Sequence, residues 1–364
     1  MGKIEEVPAN APVRKPTLKK SFSLDDFKKR TGGEDVPDKQ LRWLVGSPAL
    51  QKSTGLPGFP IGYVSLARGF TNTGKSTAIC EGIVSAQKMG ILPIIIDTEN
   101  NMGRERLKKM GFDWDKDFHY LVDNDYLLTN FGKKQDPKRK EASIEDMAEA
   151  INYFLDEQEA GNLPFELLFA IDSLGSLDCI KTINALEKNT NDNNMWNAGA
   201  FEKAFKYMLN NTIPSSRKET RKYTNTVIGV QKIWIDNMGQ GVVKHKGGET
   251  FYYGARLIYH FGGIAAHGTK IIDATSKTRK VSYGIQTKIN VAKNQIDGPL
   301  GGISFEGDII STPHGFILPE GIDDYKKEHL LFFRDALGAT DIEANDIVDS
   351  YREIKEGETF ELEG

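Results

Sequence analysis

One eight-residue run constrains this chain more than any other part of it: Gly69-Phe70-Thr71-Asn72-Thr73-Gly74-Lys75-Ser76. It has the G-x-x-x-x-G-K-[ST] spacing of a P-loop, a pattern that carries meaning only between a strand and a helix. The sequence meets that condition. Residues 61–67 are β-rich and read as a buried strand, and residues 75–89 read as a helix. Glycines at both ends of the loop let the backbone close around a phosphate chain, while successive N–H groups and the helix N-terminus favour its negative charge. The expected nucleotide contacts are Gly69 through Ser76 and the adjacent Thr77. Lys75 is placed to reach the β- and γ-phosphates of ATP, and the Ser76 hydroxyl to hold Mg²⁺.

Three further apolar runs end in polar residues. Residues 91–96 lead into Asp97-Thr98-Glu99, residues 167–171 into Asp172-Ser173, and residues 226–230 into Gln231. Continuous apolar runs of this length read as strands buried in a parallel sheet. Ligands in such sheets sit at the carboxyl ends of the strands. Glu99 thus falls on the P-loop edge, where it can orient and deprotonate a water attacking the γ-phosphate. The bland alternative is a solvated strand-end carboxylate. Asp172, about a hundred residues after the P-loop, has the Walker B pattern and pairs with Ser76 as a Mg²⁺ site. Gln231 is an amide placed to sense the γ-phosphate.

The remaining chain sets the context. Residues 1–20 hold three prolines and few large apolar residues, and read as disordered. Ser23 followed by Asp26 resembles a helix start, with Leu24 and Phe27 as a small apolar stripe. That helix is either a surface element on its own core or a tether to a neighbouring subunit. Residues 32–40 read as a linker and 41–60 as irregular. Residues 101–140 are charged, and the basic run 133–140 reads as a solvated face. An amphipathic helix is expected over 142–155 and another over 200–209. Between them, 174–199 is Asn-rich and expected to be ordered only by a ligand.

Residues 232–250 read as a long loop in which glycines, lysines and Trp234 suit tracking of a single nucleic-acid strand. Beyond lie β-rich stretches at 256–261, 282–291 and 302–307, short helices from 323, and an acidic end. The net charge of −4 confines any nucleic-acid surface to a local patch. Two isolated cysteines, Cys80 and Cys179, suggest a reducing cytosol. No apolar run approaches a membrane span. The expected location is cytoplasmic, that of the host if the chain is phage-encoded.

In this order, the parts resemble the RecA-type strand-exchange ATPases, particularly the phage UvsX-like branch, over roughly residues 45–320. The resemblance is carried by Gly55-Leu56-Pro57-Gly58-Phe59-Pro60-Ile61-Gly62 before the P-loop, Asp97-Thr98-Glu99, Ile171-Asp172-Ser173, Gln231, Gly247-Gly248-Glu249-Thr250-Phe251-Tyr252-Tyr253, and Lys293-Asn294. It implies a RecA-like P-loop NTPase core, a mostly parallel sheet flanked by helices. The core would span 41–320, between an N-terminal extension (1–40) and a short, acidic C-terminal helical tail (321–364). It implies Glu99 as the catalytic glutamate, Lys75 and Gln231 at the γ-phosphate, and Lys293 reaching ATP across a subunit boundary.

The stretches 175–199 and 232–250 match the family's two DNA-binding loops. Asn194 and Trp196 would contact DNA from the first. Lys232, Trp234, Lys244, Lys246, Gly247 and Gly248 would do so from the second. Implied partners are single- and double-stranded DNA, further copies of the chain in a helical filament, a single-strand-binding protein and a loading mediator. Two departures stand out. The family's second basic residue of the Lys293 pair is Gln295 here, and neither terminus carries a large folded domain. P-loop and Walker B alone fit helicases, kinases and packaging motors equally. A hexameric DNA helicase and a non-catalytic recombination mediator therefore remain alternatives, separated by ATPase activity with and without single-stranded DNA.

Overall fold

The structure, a computed structural model, describes residues 23–32, 36–187, 195–236, 242–245, 248–262, 269–276, 279–296 and 306–353. The chain divides into two units, 1–38 and 39–364. In the first, the Ser23 side chain accepts the Asp26 amide at 3.2 Å and caps the helix Leu24–Thr31, as the Ser23–Asp26 spacing leads one to expect. Gly32 closes that helix in the left-handed region, where glycine carries no Cβ penalty.

Among the described residues, the second unit holds fourteen strands. These are β1 (Trp43–Val45), β2 (Gly58–Pro60), β3 (Val64–Gly69), β4 (Leu92–Asp97), β5 (Tyr120–Asp123), β6 (Leu167–Asp172), β7 (Thr226–Asp236), β8 (Val242–His245), β9 (Leu257–Phe261), β10 (Lys270–Ser276), β11 (Arg279–Asn294), β12 (Glu306–Thr312), β13 (Gly315–Ile317) and β14 (Val348–Glu353). The main sheet runs β13-β12-β11-β9-β3-β7-β6-β4-β5. From β9 to β5 every pairing is parallel, whereas β11, β12 and β13 extend it antiparallel. It is a mixed α/β fold with a central, mostly parallel sheet flanked by helices.

The strands at the centre are apolar throughout because both faces are covered. Every residue of β4 and β6 is buried. On one face Leu66, Ile94, Phe169 and Val227 pack under the helices Ile144–Glu159, Met195–Tyr207 and Gly248–Gly254. On the other, Ala67, Ile95, Leu168 and Ile228 pack under the P-loop helix Lys75–Lys88. A third cluster lies between β10–β12 and the helices Ile322–Glu328 and Leu330–Leu337. Its outer strand β14 pairs antiparallel with β10, so the acidic C-terminal segment holds a strand as well as helices.

Four local expectations are corrected. The stretch 41–60 is not irregular. It forms β1, β2 and a helix, Pro48–Thr54, whose N-cap Ser47 accepts the Leu50 amide. Within 101–140, β5 adds a parallel strand beside β4. In the same stretch Arg139 is not part of a solvated face: it is buried against Asp146, with contacts of 2.9 Å and 2.5 Å. Asp146 also closes a capping box with Ser143 at the start of Ile144–Glu159. The charge is thus inside because a helix end and a guanidinium share one carboxylate.

The stretch 174–199 is helical on both sides of the residues left undescribed. One helix spans Ile180–Glu187, and another begins at Met195 rather than at residue 200. Asn197 ties the two by accepting from the Cys179 amide at 2.9 Å and donating to Asp178 at 2.6 Å. Finally, β7 runs eleven residues and continues past Gln231 into an antiparallel ribbon with β8. Much of the expected loop at 232–250 is therefore strand. Among the described residues, no helix is long and apolar enough to cross a membrane.

Candidate active site at the strand tips

Parallel pairing brings the polar ends of β3, β4, β6 and β7 to one edge of the sheet. Gly69 ends β3 opposite Phe261 of β9, and a Cβ at Gly69 would lie 2.3 Å from the Phe261 carbonyl oxygen. Only glycine allows that approach. The loop turns through Asn72 at φ 57° and Gly74 at φ 92°. Gly74 has no side chain to cap the helix it starts, and the first helical amide bond runs from Ala78 to the Gly74 carbonyl at 3.2 Å. The amides of Lys75, Ser76 and Thr77 therefore face out of the helix end, where they suit an anion.

Lys75 is buried, and its ammonium donates to the Phe70 carbonyl. Burial lowers its pKa to about 8, against the raising influence of Asp172. The Ser76 hydroxyl donates to Asp172 Oδ2 at 2.7 Å. Burial pushes the Asp172 carboxyl up to about 6, partly offset by the Ser76 hydrogen bond. This hydroxyl–carboxylate pair fits Mg²⁺, which takes few protein ligands and completes its shell with water and phosphate oxygens. The described residues contain no group of three or more His, Cys, Asp or Glu side chains suited to a metal. Thr77 points elsewhere: its hydroxyl meets Ser311 and accepts from Arg106.

Glu99 sits just past β4. Asp97 holds the turn that carries it, accepting the amides of Asn101 at 3.1 Å and Met102 at 2.9 Å. Glu99 Oε1 accepts the Ser173 hydroxyl at 2.5 Å, and Oε2 accepts the Lys232 ammonium at 2.6 Å and Asn101 Nδ2 at 3.2 Å. Burial raises the Glu99 pKa, but the bonds from Lys232 and Ser173 outweigh it and hold the carboxyl below its ordinary value. Gln231 is fully buried in β7 opposite Arg68 of β3, which in turn pairs with His260 of β9. The Arg68 guanidinium stacks 5.1 Å from the Tyr252 ring.

The structure brings Lys75, Ser76, Asp172, Glu99, Gln231 and Lys232 to one edge. It does not bring Lys293 there. Lys293 pairs with Ile258, three strand positions back from the Phe261–Gly69 pair, or about 10 Å along the strands. Its ammonium donates to the carbonyls of Tyr252 and Tyr253 at 3.1 Å and 3.2 Å, at the end of the helix Gly248–Gly254. Its ammonium thus lies away from the P-loop of its own chain. Gln295 accepts from Arg256 at 3.0 Å, so a second cation does stand beside Lys293, supplied from elsewhere in the sequence.

Of the expected DNA contacts, Trp234 is 40% exposed on the β7–β8 ribbon and pairs with Lys244. Trp196 is half-buried against the core, with the Lys181 ammonium 3.8 Å over its ring. Gly248 opens the helix Gly248–Gly254, while Asn194, Lys246 and Gly247 lie outside the described residues. Sequence reasoning missed Ser173, Asn101, Arg68, Arg106 and Arg256. Adjacency to Asp172 was a signal for Ser173. Proximity to Glu99 was likewise a signal for Asn101, whereas Arg68, Arg106 and Arg256 gave none, because their partners come from distant elements.

No profile of a known protein family matches the chain. Individual proteins do. The RecA protein of Corynebacterium aurimucosum is 25% identical over 304 residues, covering 80% of this chain and 69% of that protein. The RecA protein of Mycobacteroides abscessus is 24% identical over 86% of this chain and 83% of its own length. A shorter stretch of 98 residues is 33% identical to RecA of Aquifex aeolicus and covers 28% of that protein. The chain is thus distantly similar to RecA proteins over most of its length, and its mixed α/β architecture is consistent with a RecA-like core.

Proposed function

We propose that this protein is an ATP-dependent DNA recombinase. It binds single-stranded DNA as a helical filament and promotes homologous pairing and strand exchange. The observation that carries the reading is β7, one strand that passes Gln231 at the nucleotide edge and continues into the ribbon bearing Trp234. Such a strand joins a phosphate site to a polymer-binding element without an intervening hinge.

Lys75 and the amides of the P-loop bind the phosphates, and Ser76 with Asp172 would hold Mg²⁺, which would supply positive charge to the phosphate chain. Glu99 takes the proton of a water as the new O–P bond forms and the bond from the γ-phosphorus to the bridging oxygen of ADP breaks. Lys293, with Arg256 beside it, presents positive charge to the nucleotide of a neighbouring copy. The segment 1–40, with its helix Leu24–Thr31, serves as the tether between copies, 41–320 is the ATPase core, and 321–364 is a peripheral tail. A single-strand-binding protein and a loading mediator are the expected further partners.

The test is ATP hydrolysis with and without single-stranded DNA, alongside strand exchange between homologous substrates. Stimulated hydrolysis with exchange is the expected result, and Glu99→Gln should retain nucleotide binding while slowing hydrolysis at least about a hundredfold. Directional unwinding of a forked duplex without exchange would instead identify a helicase. DNA binding without hydrolysis would identify a mediator.

A further inference from the structure

We propose that Lys232 is a positioning residue that clamps Glu99 until single-stranded DNA draws the lysine away. The inference rests on the recombinase reading above and adds to it the device that couples DNA to hydrolysis. Its basis is the distribution of donors around one carboxylate. Ser173, the first residue after β6, holds Oε1 at 2.5 Å, and Lys232 of β7 holds Oε2 at 2.6 Å. These two donors are the roots of the two chain segments expected to meet DNA. The carboxylate is the knot between them.

The topology makes the Lys232 contact specific. Strands β4 and β7 are not neighbours, since β6 lies between them. Lys232 therefore spans the tip of β6 to reach Glu99, over about two strand spacings, or roughly 10 Å. Its side chain remains 35% exposed, against 14% for Glu99. The lysine is thus the more exposed of the two groups. Two residues further on stands the exposed Trp234.

A phosphate arriving with DNA stacked on Trp234 offers Lys232 another anion. When the ammonium changes partner, Oε2 regains an accepting position for water and the carboxylate recovers basicity. Hydrolysis then follows occupation of the ribbon rather than nucleotide binding alone.

Lys232→Met keeps side-chain length and removes the charge. It should raise DNA-free ATP turnover at least about fivefold, the low end of ordinary coupling between two sites, and cut the stimulation given by saturating oligo-dT. Lys232→Arg should restore the low DNA-free rate. A lysine that merely stabilises the sheet edge would not speed the DNA-free reaction when removed. Fluorescence anisotropy of labelled oligo-dT reports the separate loss of DNA affinity.

If wild type is stimulated by DNA but Lys232→Met gains no DNA-free activity, the clamp is wrong and the recombinase reading stands. If neither wild type nor Lys232→Met hydrolyses ATP, the functional reading falls and the clamp with it.

Discussion

Asp172→Asn should make the ligand-free protein more stable while removing its Mg²⁺-dependent nucleotide binding. Asp172 is buried, and its carboxyl is pushed from 3.8 to about 6, mainly by burial. That gap corresponds to about 3 kcal/mol at 1.36 kcal/mol per pH unit, an order-of-magnitude figure for a buried group. The sign follows from proton affinity. The folded protein holds this proton more tightly than the unfolded chain does, so the cost is absent below about pH 3.8. It grows as pH rises and is complete above about pH 6. Asparagine keeps an oxygen to accept the Ser76 hydroxyl but carries no charge to desolvate.

Urea unfolding at pH 7.5 should show a gain of about 3 kcal/mol over wild type, shrinking to roughly half at pH 5. Adding Mg²⁺ with ATP analogue should then reverse the ranking, since only wild type gains from ligand by mass action. A variant no more stable than wild type at pH 7.5, or a gain unchanged between pH 7.5 and pH 5, would refute the argument that this carboxylate is held at the expense of the fold.

Arg139→Ala should destabilise the protein by about 3–5 kcal/mol in the same unfolding assay, because it leaves the buried Asp146 charge uncompensated. Trp234→Ala should weaken single-strand binding by about 1–3 kcal/mol if a base stacks on the ring, and anisotropy titrations at fixed salt would expose the opposite result as unchanged affinity. Lys293→Ala should fold normally yet lose DNA-stimulated hydrolysis. Mixing it with Glu99→Gln subunits should recover part of the rate, because each defect lies on a different side of a boundary. Mixed filaments without recovery would separate the two residues.

Local chemistry was legible in the sequence. A P-loop, its strand and its helix lie within about thirty residues, and apolar runs ending in Asp97, Asp172 and Gln231 announce strand tips before any pairing is known. The contacts that cross the fold were hidden. The Lys232–Glu99 pair depends on the order of β4, β6 and β7 in space, which no periodicity encodes. Arg139 sits in a run of charges, and only its shared partner Asp146 at a helix start takes it inside. The four residues of β5 are too few to stand out among charged neighbours, and β14 meets β10 from more than seventy positions away. Glycines in the 232–250 stretch signalled a loop, whereas Trp234 before them and the valines between them belong to a paired stem.

The continuity of β7 into that stem changes the thermodynamics of gripping a polymer. A segment ordered only by its ligand surrenders about 1–2 kcal/mol of backbone freedom per residue at the moment of binding. The pairs Ile233–His245, Trp234–Lys244, Ile235–Val243 and Asp236–Val242 have already given up that freedom during folding. Their part of the contact should show a modest heat-capacity change rather than the large one of coupled folding. The stem then acts as a stiff finger aimed by the sheet beneath it. At its base the packing is close: a Cβ at Gly229 would meet the Leu174 side chain at 2.8 Å, so that buried side chain would have to shift.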